Sequence, residues 1–368
     1  MRPKLAILVS FSGQGGVERM IANLSQSLAM APIDLDILLI KAKGPHIAAL
    51  SAKANIIHLR ARHTATSIFE VARYLRREKP TAVLAIKHRG IIAALQARTL
   101  ARTSTPISGR LGTTVSAALA TKSSRRRARW FSTMRRYYPK LHRLIAVSQG
   151  VADDVVAITG MSDHQVTVVR NPTVTPAMLT AATLPVEHPW FAAHAPPVVL
   201  GVGRLTEQKD FPTLLRAFAE VVEERDARLI ILGEGQLRES LLEQAQQLGI
   251  ADKMALPGFT ENPWAWMRCA AVFVLSSRWE GSPNTLTEAL ALGTPVISTD
   301  CPSGPKELLS GGNIAPLVPM GDVTALREAI LSTLTDPPEG ATLVNAVKGY
   351  HQDVSAKGYL DALGLTTG

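Results

Sequence analysis

The chain is poor in cysteine and in aromatic residues and, over its first half, poor in acid. Its 368 residues include two cysteines, Cys269 and Cys301, too far apart in sequence for a paired metal knuckle. That usage suits a reducing compartment, with both thiols expected as small apolar core residues. No uninterrupted apolar run reaches the ~18 residues of a transmembrane helix, so no membrane span is expected. The start, MRPKLAILVSFSGQGG, has the basic residues and the short apolar run of a signal peptide. The run is too short and leads straight into a glycine loop and a helix, so Leu5 to Ser10 reads as a first strand and the protein as cytoplasmic.

Acids are scarce where basic residues crowd. Residues 1–184 hold 27 Lys and Arg against 8 Asp and Glu, a balance of +19, and the remainder holds 13 against 22, a balance of −9. Much of the excess lies in residues 122–143, KSSRRRARWFSTMRRYYPKLHR, where Arg125, Arg126, Arg127, Arg129, Arg135 and Arg136 alternate with Trp130, Phe131, Tyr137 and Tyr138. Cations that meet lipid phosphates, beside rings that settle at headgroup level, suit an anionic bilayer surface. Nucleic acid would fit the same pattern, but no nucleic-acid module accompanies it. A solvated helix that keeps the protein soluble is the plainer alternative. The stretch is taken as a membrane contact, with no nucleic-acid partner expected.

What is present is a globular composition, 46% hydrophobic and 19% charged, in a chain long enough for two domains. Short apolar runs alternate with amphipathic helical patterns: LAILVS, LDILLI, NIIHL, TAVLAIK, LIAVS and QVTVVR in the first half; VVLGVG, RLIILG, KMALPG, VFVLSS and PVIST in the second. Regular strand–helix alternation predicts an α/β architecture of two doubly wound parallel-sheet domains. The expected boundaries are 1–175 for the first domain, 176–196 for a Pro-, Ala- and Thr-rich linker and 197–340 for the second domain. Residues 341–368 are expected as a terminal helix packing back on the first.

The most informative stretch is 276–300, SSRWEGSPNTLTEALALGTPVISTD, which reads as loop, helix and strand. Ser282 is the expected N-cap and Pro283 the expected first helical residue, so free backbone N–H groups open beside Glu280 and Gly281. A helix N-terminus with a glycine in front of it favours a phosphate. Glu288 falls roughly 7–8 Å along the helix, where a carboxylate could take the two hydroxyls of a ribose. The pair Glu280 and Glu288 resembles the Glu-x7-Glu motif of the large family of retaining glycosyltransferases with two Rossmann-like domains (GT-B, family 4-like). That family includes bacterial mannosyl- and N-acetylhexosaminyltransferases. On its own, two acids at this spacing would be ordinary surface residues of an amphipathic helix.

Three further segments carry the resemblance. VGRLTEQKDFPTLLRAF resembles the family's G-R-x-x-x-x-K segment, which makes Arg204 and Lys209 the cations that stabilise charge growing on a departing diphosphate. GQGGVERM resembles the GGxE loop after strand one, with Gly15 and Gly16 letting a phosphate approach the backbone, although a plain tight turn fits as well. KMALPGF resembles the loop that holds the base, with Gly258 and Phe259 as neighbours. The resemblance places the donor at these residues together with Gly281, Ser282, Asn284, Thr285, Leu286 and Glu288, and catalysis at Arg204, Lys209 and Glu280. Many members carry a histidine near the reacting sugar. Here PISGRLGTT has Arg110 where it would stand, and His88 in AIKHRG is the other candidate.

The resemblance implies a central cleft between the domains and retaining transfer without metal, cofactor or covalent intermediate. It implies a sugar, N-acetylhexosamine or hexose, moving from a UDP-sugar to a polyprenyl-diphosphate-linked or polysaccharide acceptor. The basic first half suits the cytoplasmic membrane face as the place of action. A nucleotide-sugar isomerase resembling UDP-N-acetylglucosamine 2-epimerases, or a silent nucleotide-sugar-binding protein of the same fold, is the alternative.

Overall fold

The structure, a computed structural model, describes residues 2–12 and 16–366. The chain divides into two compact units, Met1–Thr173 with Tyr350–Gly368, and Val174–Gly349. Each contains one wholly parallel sheet, the doubly wound α/β arrangement that the strand–helix alternation predicts.

In the first unit the strands are β1 (Lys4–Ser12), β2 (Asp34–Lys43), β3 (Asn55–His58), β4 (Ala82–Ile86), β5 (Ile107–Leu111), β6 (Arg143–Ala146) and β7 (Val166–Val168). Their order is β3-β2-β1-β4-β5-β6-β7. Leu5 to Val9 and all of β4 are buried, as central strands covered on both faces must be. The chain winds outwards in one direction from β1 and in the other from β4, so the switch point lies between those two strands. The helix Gly16–Leu28 buries Met20, Ile21, Leu24 and Leu28 on one stripe. The helix Gln352–Leu363 joins the same core through Ala356, Tyr359 and Leu363.

Arg110 corrects an expectation. It lies inside β5, not on a loop, and is only 2% exposed. Its Nε donates to the Tyr359 hydroxyl at 3.0 Å and its Nη2 to Asn171 Oδ1 at 2.6 Å. The guanidinium therefore ties the C-terminal helix to the sheet and is committed to structure. Tyr359→Phe should remove one hydrogen bond to a buried cation, at about 2 kcal/mol. That corresponds to a fall of roughly 4–8 °C in the Tm of this unit, readable by calorimetry with donor binding unchanged. An unchanged Tm would remove Arg110 from this role.

In the second unit β8 (Val198–Val202), β9 (Arg228–Leu232), β10 (Met254–Gly258), β11 (Val272–Leu275), β12 (Val296–Thr299) and β13 (Leu317–Val318) run in the order β10-β9-β8-β11-β12-β13. Here the switch point lies between β8 and β11. The segment 176–196 is not a bare linker. Pro176–Ala181 is a helix whose N-cap Thr175 accepts from the Met178 N–H at 3.0 Å, and Asn262 donates to the Ala181 carbonyl at 2.8 Å. A capping Thr followed by Pro is a helix start, and this outweighs the loose composition. The tail likewise divides: the helix Gly340–Ala346 belongs to the second unit, and the chain joins the first from Tyr350. The cysteines differ too: Cys301 is buried but Cys269 is exposed, at the last position of the short helix Pro263–Cys269.

Candidate active site

Two loops leave the neighbouring strands β8 and β11 at the switch point of the second unit, where open α/β sheets bind ligands. The first carries Arg204 and Lys209, the second Glu280. Lys209 Nζ donates to Glu280 Oε1 at 2.7 Å, and Ser277 Oγ donates to the same oxygen at 2.8 Å. The two charged side chains are 14% and 10% exposed, so removing either would break an ion pair of a nearly buried charge. Gly203 makes room for the lysine, since a Cβ there would come within 2.8 Å of Lys209 Cε.

Several residues that hold this pair in place carry no signal in the sequence. Gln208 Nε2 donates to the Trp279 carbonyl at 2.9 Å, the Arg278 N–H donates to the Gln208 carbonyl at 2.8 Å, and Arg204 Nη2 donates to Gln208 Oε1 at 3.2 Å. Gln208 thus spans both loops and touches Arg204. Arg278 donates to the buried Asp210 at 3.1 Å, and this bond raises the arginine's pKa. Gln208, Ser277, Asp210 and Arg278 obey no periodicity, because Gln208 and Asp210 meet their partners across about 70 residues of chain.

The helix after β11 begins one residue later than expected. It spans Asn284–Ala291, and Pro283 stands at the N-cap with ψ 90° and no side-chain cap. Ser282 does not cap it; its hydroxyl, like that of Thr285, is buried with no hydrogen-bond partner. Gly281 is buried against the segment that follows β12, where Ser303 Oγ donates to its carbonyl at 3.2 Å. Gly304, at φ +89°, must be glycine, since a Cβ would lie 2.6 Å from Pro283 Cδ and 3.0 Å from the Gly281 oxygen. Glu288 follows along the helix and is 2% exposed. Leu286 corrects another expectation: its side chain is fully buried, so only its backbone could face a ligand. Asn284 and Thr285 are half-buried.

At the end of β10, Gly258 has φ +93° and its carbonyl accepts from the Gly233 N–H at 2.8 Å, while Phe259 is 45% exposed. Behind the site, burial and the nearby Glu280 push the Cys301 thiol up to about 12, so it stays protonated and is no nucleophile.

The first unit holds the remaining candidates. Gly15 lies outside the described residues; Gly16 is exposed and opens the helix Gly16–Leu28. His88 sits in the first turn of the helix Lys87–Ala101, which starts four residues before the Ile91 expected from the apolar pattern. Its ring stacks on Trp130 at 4.3 Å between centroids, and Nδ1 lies 3.0 Å from the Tyr138 hydroxyl. Burial, with Arg89 nearby, pushes the imidazole down to about 4, so it is neutral at physiological pH. The structure therefore places Arg204, Lys209, Glu280 and Gly281 on the loops after β8 and β11, with Glu288 in the helix that follows, while His88 and Arg110 belong to the first unit.

The basic stretch forms the helix Ser124–Tyr137. Arg125, Arg126, Arg127, Arg129, Arg135 and Arg136 are exposed. The rings correct the sequence reading: Trp130, Phe131 and Tyr137 are half-buried against the unit's core and Tyr138 is fully buried. They anchor the helix and leave the guanidinium groups outside. Among the described residues no helix is long and apolar enough to cross a membrane, and no three His, Cys, Asp or Glu side chains gather as a metal site.

Chemically, the site of the second unit offers two cations and a helix N-terminus for an anion, and two carboxylates for hydroxyl groups. Residues 14–175 match the family described as Glycosyltransferase Family 4, and residues 196–336 match Glycosyl transferases group 1. An uncharacterized glycosyltransferase of Methanocaldococcus jannaschii is 47% identical over 113 residues, 30% of this chain and 28% of that protein. The N-acetylgalactosamine-N,N'-diacetylbacillosaminyl-diphospho-undecaprenol 4-alpha-N-acetylgalactosaminyltransferase of Campylobacter jejuni is 35% identical over 138 residues, 38% of this chain and 37% of that protein. The aligned stretch thus spans about a third of these relatives' length. Among solved structures, Anabaena HepE in complex with UDP and glucose superposes with a TM-score of 0.72 at 17% identity, over 99% of this chain and 97% of that one, which is likeness of fold.

Proposed function

As the chain belongs to the glycosyltransferases that join a family 4 domain to a group 1 domain, we propose that it transfers a sugar from a UDP-sugar, with retention at the anomeric carbon. The observation that carries this reading is the Lys209–Glu280 pair at 2.7 Å, fixed beside Gly281 at the start of a helix that also bears Glu288. UDP as the nucleotide is supported by the UDP held in the Anabaena protein of the same fold.

In this mechanism the diphosphate lies at the start of the helix Asn284–Ala291, against Arg204 and Lys209, and Glu288 takes the ribose hydroxyls. As the bond from the anomeric carbon to phosphate oxygen breaks, charge grows on the diphosphate, and cations already in place stabilise it more than they stabilise the bound donor. The acceptor oxygen bonds to the anomeric carbon on the face that the phosphate leaves. Its proton passes to the departing phosphate oxygen, so no enzyme nucleophile, metal or cofactor is required. Glu280, held by Lys209 and Ser277, orients the sugar through a hydroxyl. NMR of the sugar released during slow donor hydrolysis should show the donor's own anomer forming first. The opposite anomer would refute retention.

The acceptor in this reading is a lipid-linked or polysaccharide glycan at the cytoplasmic membrane face, in keeping with the diphospho-undecaprenol substrate named for the Campylobacter relative. The exposed arginines of the helix Ser124–Tyr137 would meet anionic lipid. Arg125, Arg126 and Arg127 point to three sides of the helix, so one or two of them can face a bilayer, each at about 1 kcal/mol. Changing all three to Ala should weaken sedimentation with anionic vesicles about tenfold and leave neutral vesicles unaffected. Equal recovery of both proteins from anionic vesicles would end the membrane part of the proposal.

A further inference from the structure

The first unit has a pocket lined by its own residues. It lies where β1, β2 and β4 end, at that unit's switch point, and has a volume of about 590 Å³. Small-molecule sites occupy about 300–1,000 Å³. Ser10, Lys41, Arg62, Lys87, Arg89 and Trp130 are among its lining residues, and among the described residues no carboxylate lines it.

The four cations come from three separate segments: Lys41 from β2, Arg62 from the stretch after β3, Lys87 and Arg89 from the first turn of the helix Lys87–Ala101. Lys87 is paired with the buried Glu18 at 3.1 Å. Lys41, Arg62 and Arg89 are exposed and make no ion pair among the described residues. Cations brought together on a concave wall raise its potential and attract an anion. The helix start adds to this, because Ile86 at its N-cap supplies no capping oxygen.

The remaining wall is of a different character. Trp130 lines the pocket with one face stacked on His88, so its ring is held in place and offers a fixed apolar surface of the kind that carries the carbon face of a sugar. The Tyr138 hydroxyl is fully buried and meets His88 Nδ1. A buried phenol that donates there leaves the imidazole with its proton on Nε2, a neutral donor on the pocket's lining.

We propose that this pocket binds a phosphate-bearing glycan, with the phosphoryl group among Lys41, Arg62 and Arg89 and a sugar ring beside Trp130. The inference deepens the acceptor reading of the previous subsection, and rests on it, by naming the residues that would hold the acceptor's phosphate and sugar. The phosphate can belong to a lipid-linked diphosphate or to a soluble glycosyl phosphate.

The test is binding by the full chain, measured calorimetrically with inorganic pyrophosphate, N-acetylglucosamine 1-phosphate and uncharged N-acetylglucosamine. Wild type, Arg62→Gln/Arg89→Gln and Lys209→Met are compared, and UDP is titrated separately into each. The double variant changes exposed side chains, so the fold is kept. It should weaken N-acetylglucosamine 1-phosphate at least tenfold while UDP binding is unchanged. Lys209→Met should do the reverse, and the uncharged sugar should bind neither detectably nor differently. Retention on phosphatidylcholine vesicles that contain a polyprenyl diphosphate, lost in the double variant, assigns the lipid source. Binding of the soluble glycosyl phosphate without such retention assigns the soluble one. Phosphate-probe binding that survives Arg62→Gln/Arg89→Gln, disappears only in Lys209→Met, or is absent altogether overturns the proposal. Failure of UDP to bind while the glycosyl phosphate still does would strike the donor reading alone.

Discussion

Replacing Lys209 by methionine is expected to lower kcat about 100- to 1,000-fold, the loss that follows when one preorganised group facing transition-state charge is removed. The ammonium is held at 2.7 Å from Glu280 and is only 14% exposed, so it is fixed before any donor arrives. A bound diphosphate gains negative charge as the glycosidic bond breaks, and Lys209 answers that gain with no further reorganisation. Methionine keeps the length and apolar body of the side chain, and Gly203 still leaves it room. What changes is the charge: Glu280 Oε1 loses the ammonium and keeps the Ser277 hydroxyl. Some stability should fall with it, so kcat is to be compared at a temperature well below the melting point of both proteins. A variant that folds and keeps wild-type kcat would remove Lys209 from the catalytic group.

Glu288→Ala is expected to act on binding. Its carboxylate is 2% exposed and lies on the helix whose start would hold the diphosphate. Charge-assisted hydrogen bonds to the two hydroxyls of a ribose are worth about 1.5–3 kcal/mol each. Their combined loss, about 3–6 kcal/mol, should weaken UDP at least ~100-fold. Alanine is the best helix former, so the helix itself should persist. The two substitutions therefore separate: Lys209→Met lowers kcat as well as UDP affinity, whereas Glu288→Ala acts chiefly on affinity for the donor.

Much of this arrangement can be read from the chain, because the relevant pattern is local. Strand–helix alternation follows from runs such as LAILVS and VFVLSS, whose buried length dictates a parallel sheet. Glu280, Gly281 and Glu288 lie in one continuous stretch, and Arg204 and Lys209 in another, so short segments expose them. Residues that act between segments stay hidden. Gln208 reaches Trp279, Asp210 reaches Arg278, and Arg110 reaches Tyr359 across 249 residues.

Two local signals also misled. The Thr175–Pro176 cap lay within a composition that reads as linker, and the rings of Trp130 and Phe131 turn inward although their neighbours are arginines. In both cases alphabet prevailed over pattern: proline marks a helix start as readily as a break, and on a helix every third or fourth side chain faces the core. The pocket of the first unit could not be anticipated at all, since its cations are dispersed over Lys41, Arg62, Lys87 and Arg89.

The most direct measurement is a calorimetric titration of UDP, GDP and ADP into the wild-type protein, Lys209→Met and Glu288→Ala. UDP should bind the wild type, GDP and ADP should bind more weakly, and Glu288→Ala should lose most of the UDP affinity. If no nucleoside diphosphate binds at millimolar concentration, or if UDP binding is untouched by both substitutions, the donor site is not where Lys209, Glu280 and Glu288 place it.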